Sequence, residues 1–131
     1  MSNINLETGN RLDIQFNKDG LAPAVVQETI SGEILMFAWV NSEALETSIK
    51  SGFATFWSRS RQELWKKGET SGNMMKIQDI LVDCDQDCII YKVEKTAGGA
   101  CHTKNEKNEY RHSCFYRKVN LENGKLVYVE K

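Results

Sequence analysis

The sequence predicts a β-dominated α+β fold, a two-sheet sandwich or pseudobarrel of short strands with one or two short helices. Three observations predict it. Short apolar or alternating runs recur along the whole chain between turn-forming residues. Only one segment, 42–51, carries both the start and the stop signals of a helix. A single proline, Pro23, and the absence of low-complexity or linker-like stretches leave nothing to divide the chain, so residues 1–131 read as one domain.

The elements follow in order. Residues 11–16 alternate polar and apolar side chains, the pattern of a half-buried strand. Residues 24–29 and 33–40 are apolar runs flanking Ser31-Gly32, a hairpin signal. Asn41 or Ser42 caps the helix, Glu43 and Glu46 favour its start, and Gly52 ends it. Ala44, Leu45 and Ile49 are then expected on its inward face. Residues 53–57, 76–83, 88–95 and 115–121 read as further strands, and Asn123-Gly124 turns the chain into a last one, 125–129.

Composition narrows the function. With 131 residues, 40% hydrophobic and 9% aromatic, the chain has the make-up of a globule with a core. Seventeen Lys and Arg against eighteen Asp and Glu give a net charge of −1. No overall field is available to hold nucleic acid or an anionic membrane, and neither is expected as a partner. The longest apolar run, 34–40, falls far short of the ~20 residues that span a bilayer. The first residues form neither a basic nor an apolar block, so a cytoplasmic protein is expected. In a reducing compartment the four cysteines, Cys84, Cys88, Cys101 and Cys114, are expected as free thiols or metal ligands.

Three segments carry chemistry. The first runs from Trp57 to Asn73, with Arg59, Arg61, Lys66 and Lys67 interleaved with Trp65 and with hydroxyl and glycine residues. Guanidinium forks match phosphate oxygens in pairs, and an indole can stack on a purine or fill a core. A solvated basic turn with core tryptophans is the plainer reading of the same residues.

The second segment is Asp83-Cys84-Asp85-Gln86-Asp87. On an extended strand the three carboxylates would project to one side and Cys84 to the other. Bunched carboxylates repel unless a cation neutralises them, and hard oxygen donors suit Mg²⁺ or Ca²⁺. An EF-hand is a poor fit, because Cys88 stands where that loop needs glycine. An acidic, solvated hairpin tip is the alternative.

The third segment is Gly98-Gly99-Ala100-Cys101-His102-Thr103, followed after a polar stretch by Arg111-His112-Ser113-Cys114-Phe115. Two cysteines, each near a histidine, could hold zinc, and Cys84 could supply a third thiolate. Three protein ligands would leave a coordination position for water, as in catalytic zinc sites; Cys88 as a fourth would close the site into a structural one. The spacing alone decides neither.

Together these segments resemble phosphoribosyl-AMP cyclohydrolase of histidine biosynthesis. The similarity runs from Leu35-Met36-Phe37-Ala38-Trp39-Val40-Asn41 to Ser113-Cys114-Phe115-Tyr116-Arg117. Its central signature resembles Trp57-Ser58-Arg59-Ser60-Arg61 with Leu64 to Asn73, and its metal motifs resemble Asp83 to Asp87 and Ala100-Cys101-His102-Thr103. The resemblance implies a homodimer with zinc shared between subunits, held by Cys84 of one chain with Cys101 and Cys114 of the other. It implies Mg²⁺ on Asp83, Asp85 and Asp87 and no ligand role for Cys88, which is expected in the core. The chain departs from the family at Lys104, where a glycine is usual, and in an insertion near 105–110. A surface loop tolerates such an insertion cheaply. It leaves His112 as an extra ligand or base, or as a solvated loop residue, the reading preferred here.

The implied reaction is hydrolytic opening of the adenine ring of 1-(5-phosphoribosyl)-AMP between N1 and C6. Zinc suits it, because the metal lowers the pKa of bound water from 15.7 toward ~7. His102 is the expected general base or proton shuttle, or else an orienter of the zinc site. Arg59, Arg61 and Lys67 are expected to clamp phosphate and Trp65 to flank the purine. The chain's length suggests the ring-opening step alone, without a fused pyrophosphohydrolase. A zinc deaminase is disfavoured by the missing His-x-Glu and Pro-Cys-x-x-Cys signature. A zinc-stabilised nucleic-acid-binding module, built on the Trp/Arg/Lys segment, is the rival class.

Overall fold

The computed structural model describes residues 3–69, 72–95 and 98–131, with the side chains of 3–5 left aside. Met1 and Ser2 of the N-terminal reading and Thr70 and Ser71 of the basic segment lie outside the described residues. The elements are α1 (Asn3–Thr8), β1 (Ala22–Glu28), β2 (Ile34–Val40), α2 (Ser42–Ser51), β3 (Thr55–Ser58), β4 (Glu63–Lys66), β5 (Met75–Val82), β6 (Ile89–Lys95), β7 (Arg117–Val119) and β8 (Leu126–Tyr128). Strands dominate, as a β-rich α+β fold requires. They form a four-stranded sheet in the order β2-β1-β6-β5 and two hairpins, β3–β4 and β7–β8, with no closed barrel among the described residues. Among the described residues no helix is long and apolar enough to cross a membrane.

The sheet's centre is its most apolar part. β1 pairs antiparallel with β2 and parallel with β6, while β5 closes onto β6 as an antiparallel hairpin. Alternate residues of the two central strands (Ala22, Ala24 and Val26; Ile89, Tyr91 and Val93) are fully buried, as period-2 geometry dictates. Leu35, Met36, Val40, Phe56 and Met75 complete this core. Pro23 is tolerated in a central strand because pairing with β6 starts only at Ala24.

Helix α2 has the expected bounds. Asn41 caps it by accepting from the Ala44 N–H at 2.8 Å, and Gly52, at φ 78°, ends it in the left-handed conformation. Its inward face differs from expectation. Ala44, Leu45 and Ser48 are buried, whereas Ile49 is 51% exposed. Ser48 replaces it because a buried hydroxyl can be fully satisfied here. Its Oγ donates toward the Ala44 and Thr55 carbonyls and accepts from the Thr55 N–H at 2.9 Å and the Tyr91 hydroxyl at 3.1 Å. Burial pushes the Tyr91 phenol up to about 12, against the Ser48 hydrogen bond, which lowers it, so the ring stays a neutral donor.

Three further expectations are corrected. Residues 11–16 form no strand; their backbone is claimed by Gln86 instead of a neighbouring ladder, with Asp13 N–H donating to Gln86 Oε1 and Gln15 N–H to its carbonyl. The strand expected over 115–121 shrinks to β7, because the backbone of Ser113 to Phe115 is tied to β2 and to the Ser113 hydroxyl. Cys88 is half-buried at the foot of the β5–β6 turn and is no member of the core.

Candidate functional site

The basic segment folds as the β3–β4 hairpin, whose second strand the sequence did not announce. Phe56 faces Trp65 across it, with ring centroids 4.9 Å apart. Trp65 is half-buried against the core, with Lys67 Nζ 6.0 Å from its ring. The tip, turned by Gln62 at φ 54°, carries Arg59 and Arg61 into solvent. Arg59 lies over the Trp39 ring at 5.1 Å. Arg61 reaches Ser58 Oγ and stands 3.6 Å from the Glu63 carboxylate. Both guanidiniums remain accessible, and ring or carboxylate contacts that exposed hold them only weakly.

The acidic segment is a turn between β5 and β6, not the extended strand expected. Asp83 N–H donates to the Cys88 carbonyl and Gln86 N–H to the Asp83 carbonyl, with Gln86 left-handed at φ 56°. The curl itself gathers the carboxylates. One oxygen from each of Asp83, Asp85 and Asp87 lies within 4.8 Å of the others. Asp83 Oδ1 accepts from the Asp87 and Cys88 N–H groups at 2.9 and 3.0 Å. Burial raises the Asp83 carboxyl, but hydrogen bonds from Asp87, Cys88 and Asp85 outweigh it and hold the group below the usual carboxylate range. Asp87, sharing hydrogen bonds with Asp83 and Asp85 and facing their charge, is pushed up to about 6. Below about pH 6 the trio thus holds a proton that a divalent cation would displace.

Gln86 locks this turn, a role that no motif or spacing announces. Its buried amide accepts from Asp13 N–H and donates to the Leu6 and Arg11 carbonyls at 3.0 and 3.2 Å. Cys84 is exposed on the same turn, at the rim of an apolar groove shared with Leu6, Ile49 and Val82.

Cys101 and Cys114 meet elsewhere. Residues 100–101 pair with 111–112 through Ala100 N–H to the His112 carbonyl and Cys101 N–H to the Arg111 carbonyl, both at 3.1 Å. Gly99 makes this approach possible: a Cβ there would stand 2.2 Å from the Arg111 carbonyl oxygen. Cys114 N–H donates to the Leu35 carbonyl of β2 at 2.7 Å. Cys114 is exposed, yet partial desolvation first, and then the Cys101 sulfur, push its thiol up to about 11, while the Lys67 ammonium pulls against them. A Cys114 thiol held protonated beside a second sulfur suits a soft metal site, where the cation would displace that proton. Among the described residues the three cysteines form no cluster within one chain. His102 is exposed beside Cys101.

His112 is not a solvated loop residue. It is half-buried, with Nδ1 accepting from Lys95 Nζ and Nε2 lying 2.9 Å from Glu33 and 3.5 Å from Glu28. Its own N–H donates to Glu130 Oε1 at 2.9 Å. Burial lowers Lys95 from its ordinary range, against the raising influence of Glu28, Glu33 and Glu130. This cluster ties the Cys114 segment to β1 and β6. The insertion closes on itself through Asn105, whose Oδ1 accepts from the Lys107 and Glu109 N–H groups, both at 2.9 Å.

The sequence model of the phosphoribosyl-AMP cyclohydrolase family matches residues 36–116, the span that holds the hairpin, the acidic turn and the thiol pair. The chain belongs to that family. A phosphoribosyl-AMP cyclohydrolase of Chlorobium chlorochromatii is 49% identical over 127 residues, covering 96% of this chain and 87% of its own. That of Methanococcoides burtonii is 53% identical over 106 residues, covering 81% and 82%. That of Nitrosococcus oceani is 48% identical over 118 residues, covering 90% and 83%. Of the elements described, α1, β1, β7 and β8 lie outside the span matched by the cyclohydrolase family.

Proposed function

We propose that this chain is a cytoplasmic, metal-dependent hydrolase of histidine biosynthesis. In this reading it opens the adenine ring of 1-(5-phosphoribosyl)-AMP between N1 and C6. Family membership supports the substrate, and one observation carries the chemistry: the Cys101 and Cys114 thiols lie within hydrogen-bonding reach of each other, under the charge of the Lys67 ammonium.

Cys101 and Cys114 fit two corners of a zinc site, and Cys84 fits the third when contributed by a second copy in a homodimer. Asp83, Asp85 and Asp87 fit Mg²⁺, a hard cation that suits converging carboxylates. Bound zinc supplies Lewis acidity that brings water's pKa from 15.7 toward ~7. The chain's own residues supply the rest. His102, exposed at the edge of the thiol pair, takes the proton of the attacking water and delivers one to the departing nitrogen. Arg59 and Arg61, exposed at the hairpin tip, grip the substrate phosphates, and Lys67 adds a point charge closer to the reacting ring. Trp65 presents its remaining surface to the purine, with Phe56 fixing the indole from behind.

The test is a spectrophotometric ring-opening assay with 1-(5-phosphoribosyl)-AMP, paired with metal analysis. Full activity is expected with zinc and Mg²⁺ present, and loss of activity after chelation that zinc restores. His102→Asn is expected to lower kcat by roughly 10²–10⁴-fold, the usual contribution of a general base. Undiminished turnover after exhaustive chelation, or no turnover of this substrate with both metals supplied, sinks the reading.

A further inference from the structure

Arg111 sits immediately behind the thiol pair, and every part of its side chain is engaged. The guanidinium carbon lies 4.2 Å from the Tyr116 ring centroid and 5.7 Å from that of Tyr128. Nε and Nη2 donate to the Glu130 and Lys131 carbonyls at 3.4 and 3.3 Å. Nη1 points the other way, donating to Thr103 Oγ1 at 3.0 Å. That oxygen is 2.9 Å from Cys101 Sγ, and the Thr103 N–H donates to the same sulfur at 3.4 Å. The backbone repeats the arrangement, since Arg111 N–H donates to the Thr103 carbonyl and its own carbonyl accepts from Cys101 N–H.

The chemistry of this relay has a direction. Arginine is a donor only, so Nη1 occupies a lone pair of the Thr103 hydroxyl and leaves its single hydrogen to be aimed elsewhere. A thiolate can only accept, so with Cys101 ionised the hydrogen goes to the sulfur. Two donors, the hydroxyl and the Thr103 amide, then fix where the sulfur's electron pairs point. Groups that orient a metal's ligands in this way are often nearly as important to affinity as the ligands.

Resting on the zinc role proposed for Cys101, we infer that Arg111 is a positioning residue. Braced by Tyr116 and Tyr128, it acts through Thr103 to fix the orientation and donor strength of the Cys101 sulfur. The variants Thr103→Val, Thr103→Ser and Arg111→Leu test this in the full-length protein loaded with zinc or with cobalt(II). Thr103→Val and Arg111→Leu are expected to weaken zinc retention against a competing chelator by roughly 10–100-fold, and Thr103→Ser to restore it. In the cobalt form, the same two variants should move the sulfur-to-metal charge-transfer band to lower energy, because a sulfur stripped of donors gives up its electrons more easily. At saturating metal, kcat should fall with KM unchanged.

Zinc affinity and band position equal to the parent's in either Thr103→Val or Arg111→Leu overturn the inference, because the relay runs through both residues. Arg111→Lys, which keeps a cation at the tyrosine stack but has no planar fork to reach Thr103 and both carbonyls, stands in if Arg111→Leu does not fold, and parent-like affinity and band position in it likewise overturn the inference. A parent that takes up metal without opening the ring overturns the proposed reaction, while the affinity series still decides the role of Arg111. A parent that takes up no metal overturns both.

Discussion

At the scale of single residues, Asp87 carries a stated dependence on pH. Its carboxyl is pushed up to about 6 by the hydrogen bonds and charge of Asp83 and Asp85, whereas in the unfolded chain it titrates near 3.8. Between those values the folded state binds more protons than the unfolded one, so the metal-free protein loses stability as pH rises from 3.8 to about 6 and is flat in this respect above. Asp83, held low, works in the opposite sense, and its window lies below 3.8. Melting temperatures of the metal-free parent and of Asp87→Asn across this range should differ in slope, the variant lacking the decline, and added Mg²⁺ should abolish it in the parent. Identical slopes would mean that the three carboxylates do not interact in solution. The existence of this cluster was legible in the spacing of the aspartates, but its geometry was not. A left-handed Gln86 turns a strand-like alternation into a curl, and no residue type announces that conformation as glycine would have done. Likewise His112 read as a loop residue, because its partners Glu28 and Glu33 lie far away in sequence.

At the scale of elements, strong local signals survived folding and long-range ones were invisible beforehand. Asn41 and Gly52 bound α2 where capping chemistry places them, because those hydrogen bonds close within one turn. The helix's inward face was misjudged at Ile49, since the satisfaction of Ser48 depends on Tyr91, 43 positions away. The segment 11–16 shows the same limit: its alternation is genuine, but the β5–β6 turn, through Gln86, holds it where a neighbouring strand was expected. This gives the turn a measurable mechanical role. Gln86→Ala strands the Asp13 N–H and the Leu6 and Arg11 carbonyls, part-buried groups whose loss costs less than the ~1–3 kcal/mol of a fully buried one. Hydrogen exchange at Asp13 should accelerate by at least an order of magnitude while the core amides of β1 and β6 stay protected. Unchanged exchange at Asp13 would show that the side-chain bond contributes nothing to holding this strap.

For the whole molecule, the position of Cys84 is the telling one. It lies on the acidic turn, apart from the Cys101–Cys114 pair, and among the described residues the three sulfurs do not converge within a chain. A shared site makes a sharp demand. Mixing inactive Cys84→Ser with inactive Cys101→Ser should restore part of the activity once subunits exchange, because one composite site then keeps all three wild-type sulfurs. No recovery after verified exchange would rule out sharing. Exposed Val119, Leu121, Leu126 and Val129 on and around the C-terminal hairpin leave ample apolar surface for such an assembly. The sheet order has a separate consequence for biogenesis. β6 lies between β1 and β5, so the strand that completes the middle of the sheet is made after more than half of the chain has been translated. A nascent chain ending before Ile89 holds the β1–β2 hairpin with α2 and the β3–β4 hairpin beside it, but the edge of β1 that β6 covers stays open. Pauses by the ribosome upstream of that point would prolong the interval in which this edge can be captured by chaperones or by another nascent copy.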